Sequence, residues 1–158
     1  ANGLTVDEYK EWLIVKQRDS EQEGIVDGWK VPSTTFWLYA DGIPVGLGSV
    51  RHFLTEALRK AGGNIGYGIA PAFRGKGYGK ELLLLLLSIV FDELHGDKFI
   101  YAAMKENTVS INLCRSCGFV YDSSKKVIRK WDNYEYVSEI YTLTAKQYYK
   151  QVKKLKCS

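Results

Sequence analysis

Cysteine and histidine are scarce in this chain, three and two among 158 residues. So few cysteines, odd in number, exclude a disulfide-built scaffold and predict a reducing, cytoplasmic setting. Zinc needs a second ligand pair beside the Cys114-x-x-Cys117 spacing, and only Cys157, His52 and His95 remain, scattered along the chain, so no metal is expected. A redox pair belongs at a helix N-terminus, whereas these two cysteines fall in a helix's last turn and read as packed thiols. Long hydrophobic runs are also missing. Leu82 to Phe91 is too short for a bilayer and is broken by Ser88, no signal-peptide pattern shows, and no membrane partner is expected. Internal repeats and low-complexity segments are absent.

Net charge is confined to one stretch. The net charge is +4, but Lys146, Lys150, Lys153, Lys154 and Lys156 supply +5 with no nearby acid, which leaves the rest near −1. Nucleic-acid binding would have to rest on that tail alone, and the tail reads instead as a solvated basic helix end, so no nucleic-acid partner is expected. What the chain does have is apolar mass: 46% hydrophobic residues, four tryptophans and eleven tyrosines. That predicts one globular domain over residues 1–158, with a core at about 35–143 and a basic helical tail at 144–158.

The organising stretch runs from Asn64 through Ile69-Ala70-Pro71 to Arg74-Gly75-Lys76-Gly77-Tyr78-Gly79-Lys80 and a run of leucines. It reads as a strand, a glycine-rich turn and a buried helix. Glycines leave the N–H groups of the first helical turn uncovered, and the helix dipole adds positive charge, so this end suits a phosphate. Two familiar phosphate motifs fail. A dinucleotide fingerprint would need glycine where Lys80 stands, and a P-loop would need Ser or Thr where Glu81 stands.

Taken in order, Thr5 to Lys16 predicts a helix capped by Thr5, and Arg18 to Lys30 a loop. Thr34 to Tyr39 and Pro44 to Phe53 predict strands joined by a turn at Asp41-Gly42. Leu54 to Lys60 predicts a helical turn, Ile65 to Ala70 a third strand, and Lys76 to His95 a helix with one narrow polar stripe. Most of that helix's circumference should therefore be covered, in part by a second copy of the chain, a homodimer. Lys98 to Met104 reads as a strand and Thr108 to Cys117 as a helix stopped by Gly118. Val120–Tyr121 and Val127–Trp131, then Tyr134 to Leu143 after a turn at Asp132-Asn133, read as strands, and Thr144 caps a last helix. The alternation predicts an α+β fold.

Arg74 to Gly79 resembles the acyl-CoA signature [RQ]-x-x-G-x-[GA] of the GNAT superfamily of N-acetyltransferases. Asn107 to Phe119 resembles its second signature, N-x-x-[AS]-x-x-x-Y-x-x-x-G-F, except that Cys114 stands where tyrosine is common. The resemblance implies a mixed, mostly antiparallel central sheet flanked by helices, with the family's leading strand missing before Thr34. It implies direct transfer of acetyl from acetyl-CoA, the cosubstrate, to a primary amine through a tetrahedral intermediate. A non-catalytic acyl-CoA-binding module is the alternative.

In that resemblance Ile69 and Ala70 offer backbone groups to pantetheine and the thioester carbonyl, on a strand that splays from its neighbour. Gly66 and Gly68 fit a close backbone approach. Gly75, Gly77, Tyr78, Gly79 and Lys80 supply N–H groups to the pyrophosphate, Arg74 and Lys76 add charge, and Asn107 either bonds pantetheine or caps its helix. No general base is written plainly. Asn64 cannot take a proton, Glu56 and His52 are the nearest candidates, and a bulk-water route is open. Cys114 is the candidate acid for the departing thiolate, or a spectator too short to reach it.

Overall fold

Residues 4–21, 31–131 and 134–156 are described by the computed structural model. The expected loop glycines Gly24 and Gly28, the Asp132-Asn133 turn and Cys157 lie outside them. Helix α1 (Val6–Glu21) opens on a reciprocal cap: the Thr5 N–H donates to Glu8 Oε2 at 2.7 Å, and the Glu8 N–H donates to Thr5 Oγ1 at 3.3 Å. The helix passes the expected stop at Lys16 and runs to Glu21. Polar side chains alone do not end a helix, and here Gln17 Nε2 donates to Glu21 Oε1 at 2.9 Å, one turn on.

Two three-stranded antiparallel sheets follow. β1 (Ser33–Ala40) and β2 (Ile43–Arg51) form a hairpin through Asp41 and Gly42, both at positive φ, and β3 (Ile65–Ile69) pairs with β2. A π-helical turn at Leu58–Gly62 leads into β3. The second sheet has the order β4 (Lys98–Met104), β6 (Tyr134–Thr144), β5 (Val120–Trp131). β5 is one strand where two pieces are expected; its register slips between Tyr121 and Lys126, so a bulge absorbs the polar interruption.

Helix α2 (Tyr78–Ser88) crosses from β3 to β4 over one face of the first sheet. The approach is close: a Cβ on Gly48 would stand 2.8 Å from Leu86 Cδ1. Leu82, Leu83, Leu86 and Leu87 are buried, whereas Leu84 and Leu85 are 43% and 52% exposed, so the chain covers less of this helix than its composition suggests. The helix also ends early. It widens into a π turn at Ile89–Glu93, closed by the Leu94 N–H on Ile89 O at 2.9 Å, which keeps Val90 and Phe91 inward.

Helix α3 (Thr108–Ser116) packs on α2 and β4. Helix α4 (Ala145–Lys156) begins on a Thr144–Gln147 cap, with the Thr144 N–H donating to Gln147 Oε1 at 2.8 Å. It is more than a solvated tail. Tyr148 is buried, stacks on Phe91 at 4.8 Å between ring centroids, and donates its hydroxyl to Asp92 Oδ2 at 3.1 Å. The result is an α+β fold of mostly antiparallel sheet flanked by helices. Among the described residues no strand precedes α1, and no helix is long and apolar enough to cross a membrane.

Candidate active site

The two sheets touch where β3 and β4 begin. The Asn64 N–H donates to Ile100 O at 2.9 Å, and the Ile100 N–H donates to the Asn64 side chain, Oδ1, at 2.7 Å. Asn64 is buried, and its amide stands in for the next backbone rung. Gly63 lets the strands close: at φ +70, a Cβ there would lie 2.5 Å from Ile100 O. Arg51 Nη1 holds the same corner through Gly63 O at 2.9 Å. Sequence reasoning set Asn64 aside because it cannot accept a proton at neutral pH; its structural role depends on a partner 36 positions away.

Beyond that corner the strands part. The Ala70 N–H bonds Val45 O and the Arg51 N–H bonds Asn64 O, which fixes the alternation along β3 and turns the backbone groups of Tyr67 and Ile69 away from β2. The bonds from Ala145 to Asp97 and from Lys105 to Val137 likewise turn Ala102 and Met104 away from β6. The N–H groups of Tyr67, Ile69, Ala102 and Met104 thus face one another across a gap without a hydrogen-bond partner among the described residues. Unpaired edges inside a fold call for a ligand that can pair them. A cleft of about 230 Å³ occupies this gap, reaching Asn107 and Ser110 on α3.

The glycine turn lies at the open end. Gly75 and Gly77 have φ of +76° and +91°, and no atom lies within 4 Å of where either Cβ would be. No side chain caps α2. The N–H groups of Gly75, Gly77, Tyr78 and Gly79 have no partner among the described residues, whereas the Lys80 N–H closes onto Gly77 O at 2.9 Å. The Lys80 N–H, expected as one of the donors, is thus already paired within the turn. Arg74 Nε donates to Ile69 O at 3.0 Å, tying the turn to the strand, and Lys76 Nζ sits over the Phe73 ring at 5.4 Å. Asn107 Oδ1 accepts the Ser110 N–H at 3.1 Å, so the cap reading holds for its oxygen.

On the sheet face away from α2, a groove of about 620 Å³ runs under α1 and reaches Ile69 and Ala70. Trp12 and Trp37 wall it edge to face at 6.2 Å, and Gly68 has nothing within 4 Å of a would-be Cβ. Lys16 and Arg74 are the charged residues lining it, and no carboxylate does so among the described residues.

The expected catalytic side chains lie elsewhere. Glu56 is exposed, bonded to the Lys60 ammonium, which lowers its pKa, and lines neither groove nor cleft. His52 Nε2 sits 2.8 Å from Thr34 Oγ1, just past the end of β2, and lines neither groove nor cleft. Cys114 is fully buried, its Sγ donates to Ile111 O at 3.2 Å, and burial pushes its thiol up to about 12. The cleft instead holds a chain of hydroxyls that sequence reasoning missed: Tyr67 to Tyr101 at 2.7 Å and Tyr101 to Ser110 Oγ at 2.6 Å. Its members come from β3, β4 and α3, and no local pattern links them. Among the described residues, no cluster of three or more His, Cys, Asp or Glu could hold a metal ion.

Comparison with known proteins agrees with this geometry. An acetyltransferase (GNAT) domain model matches residues 2–120. The N-acetyltransferase 9-like protein of Nematostella vectensis is 33% identical over 60 residues, which is 38% of this chain and 30% of that protein. In fold, the chain is similar to a spermidine N-acetyltransferase SpeG chimera from Vibrio cholerae and hSSAT, at TM-score 0.64 and 18% identity over 92% of this chain and 80% of that one. It is also similar to the Salmonella typhimurium protein YncA with its cofactor acetyl-CoA, at TM-score 0.60 and 16% identity over 90% and 75%. A glycine turn opening a helix, strands parted beside it and a family model over most of the length together make this chain a member of the GNAT acetyltransferase family.

Proposed function

We propose that the chain is a single catalytic domain that moves acetyl from acetyl-CoA to a primary amine by direct attack in a ternary complex, in a cytoplasmic setting. One observation carries the reading: the unpaired N–H groups of the parted strands lead straight to those of the glycine turn. A thioester arm ending in a pyrophosphate needs donors in that order. The N–H groups of Gly75, Gly77, Tyr78 and Gly79 take the pyrophosphate, with Arg74, Lys76 and Lys80 as counter-charges. The Ile69 N–H positions pantetheine and polarises the carbonyl, beside Ala70, whose own N–H is committed to Val45 O and is not the free donor expected of it, and Asn107 lends its amide. Acetyl-CoA in the similar YncA structure supports the cosubstrate.

The groove under α1 takes the amine, which must arrive or become neutral before it attacks. Lys16 and Arg74 lower an amine's pKa there, and release of its proton to water requires no carboxylate. Cys114 is assigned to packing and Glu56 to the surface. A non-catalytic acyl-CoA-binding module is the second reading, favoured by the lack of a carboxylate among the groove residues described. Thiol release from acetyl-CoA, measured with a polyamine, a peptide N-terminus and a lysine side chain, separates them. Amine-dependent release supports transfer; binding without release with every acceptor leaves the module.

A further inference from the structure

Resting on that acetyl-transfer reading, one chemical need is unmet. Attack forms the C–N bond and the nitrogen sheds a proton to solvent; collapse then breaks the C–S bond and leaves its electron pair on sulfur, which takes up a proton. Cys114, which stands where the resemblance puts tyrosine, is sealed in the core with its Sγ bonded inside its own helix.

The cleft and the groove share two residues, Gly66 and Tyr67. Gly66 has no side chain; Tyr67 gives the groove only its backbone, while its ring, paired opposite Gly48 on the α2 face, carries its hydroxyl on the cleft side of this junction. Acetyl passes from one cavity to the other at that junction. The Tyr67 hydroxyl heads the chain through Tyr101 to Ser110 Oγ. With Ser110 donating to Tyr101 and Tyr101 to Tyr67, the Tyr67 proton is left to donate outward.

We propose that Tyr67 protonates the departing thiolate and is reprotonated through Tyr101 and Ser110. The O–H bond of Tyr67 breaks as S–H forms; Tyr67 then takes a proton from Tyr101, Tyr101 from Ser110, and Ser110 from the solvent that received the amine's proton. Nitrogen loses one proton, sulfur gains one, each hydroxyl again carries one proton, and rotation of the three O–H bonds resets the chain. Burial raises both tyrosine pKa values, which keeps them protonated at neutral pH, and the same burial raises the proton affinity of a thiolate beside them.

Tyr67→Phe keeps the ring and removes the proton. Turnover with acetyl-CoA should fall about 100-fold, with acetyl-CoA affinity close to wild type. The defect should shrink several-fold with an acetyl thioester of an electron-poor aryl thiol, whose anion leaves without a proton. Should Tyr67→Phe fail to fold, Tyr101→Phe must show a smaller loss with the same dependence on leaving group. Equal losses with both thioesters, or wild-type turnover in the variant, overturn the proposal. A wild-type protein that releases no thiol with any amine overturns the acetyl-transfer reading itself, and does so before any variant is made.

Discussion

The two ends of the junction between β3 and β4 make opposite use of the same backbone groups. At the closed end, Asn64 and Ile100 satisfy each other and Gly63 removes the one Cβ that would hold the strands apart. At the open end, Tyr67, Ile69, Ala102 and Met104 present N–H groups to the cleft between the strands, with the glycine turn beyond them. On the proposed reading, the contrast gives stability to one end and binding to the other. Substitutions at the closed end should cost fold and spare ligand chemistry, and those at the open end should do the reverse.

The largest effect is expected at the open end. Gly77→Glu puts a carboxylate where the proposed site takes a phosphate, in space that is free of protein atoms, and acetyl-CoA affinity should fall at least about 100-fold, roughly 3 kcal/mol. Calorimetry with a melting curve checks it; loss of fold together with affinity would erase the contrast. At the closed end, Asn64→Leu strands the buried Ile100 N–H and should cost about 1–3 kcal/mol of stability. Denaturant unfolding reads that loss, and a variant as stable as wild type would mean that Asn64 does not hold the sheets together.

Gly68→Val sharpens the distinction on the groove side. Nothing lies within 4 Å of its Cβ position, so stability should change by no more than about 0.5 kcal/mol while the amine KM rises several-fold. The smallest effect belongs to Cys114→Ala, whose turnover should stay near wild type. Its thiol, buried and held protonated up to about 12, should resist alkylation in the native state. Because folding raises this pKa, its contribution is complete below the unfolded value near 9 and is lost as pH climbs towards 12. Unfolding followed from pH 8 to 11 should show stability falling, less steeply in Cys114→Ala.

Much of the open end was legible because its information is local. Arg74 to Lys80 is one contiguous turn whose glycines announce bare N–H groups, and Asn107 announces its helix start. The Lys80 N–H was misread because spacing does not show which donor folds back onto Gly77. The closed end and the hydroxyl chain were not legible. Asn64 meets Ile100, and Tyr67 meets Tyr101, only after α2 has crossed the sheet, so neither pair has a spacing to recognise. Helix lengths failed where polar residues were taken as stops, at Lys16, and where a π turn replaced regular helix, after Ser88. The groove proposed for the amine draws on α1, β1, β2 and β3, and its character comes from side chains that no single stretch contains.

The most direct test is amide hydrogen exchange with and without acetyl-CoA, read residue by residue. The account predicts slower exchange at Tyr67, Ile69, Gly77, Tyr78 and Gly79 when the cosubstrate is bound, with Ile100 slow in both states. Unchanged exchange along Tyr67 and Ile69, with protection appearing on another face of the protein, would contradict the assignment of the parted strands as the acetyl-CoA site.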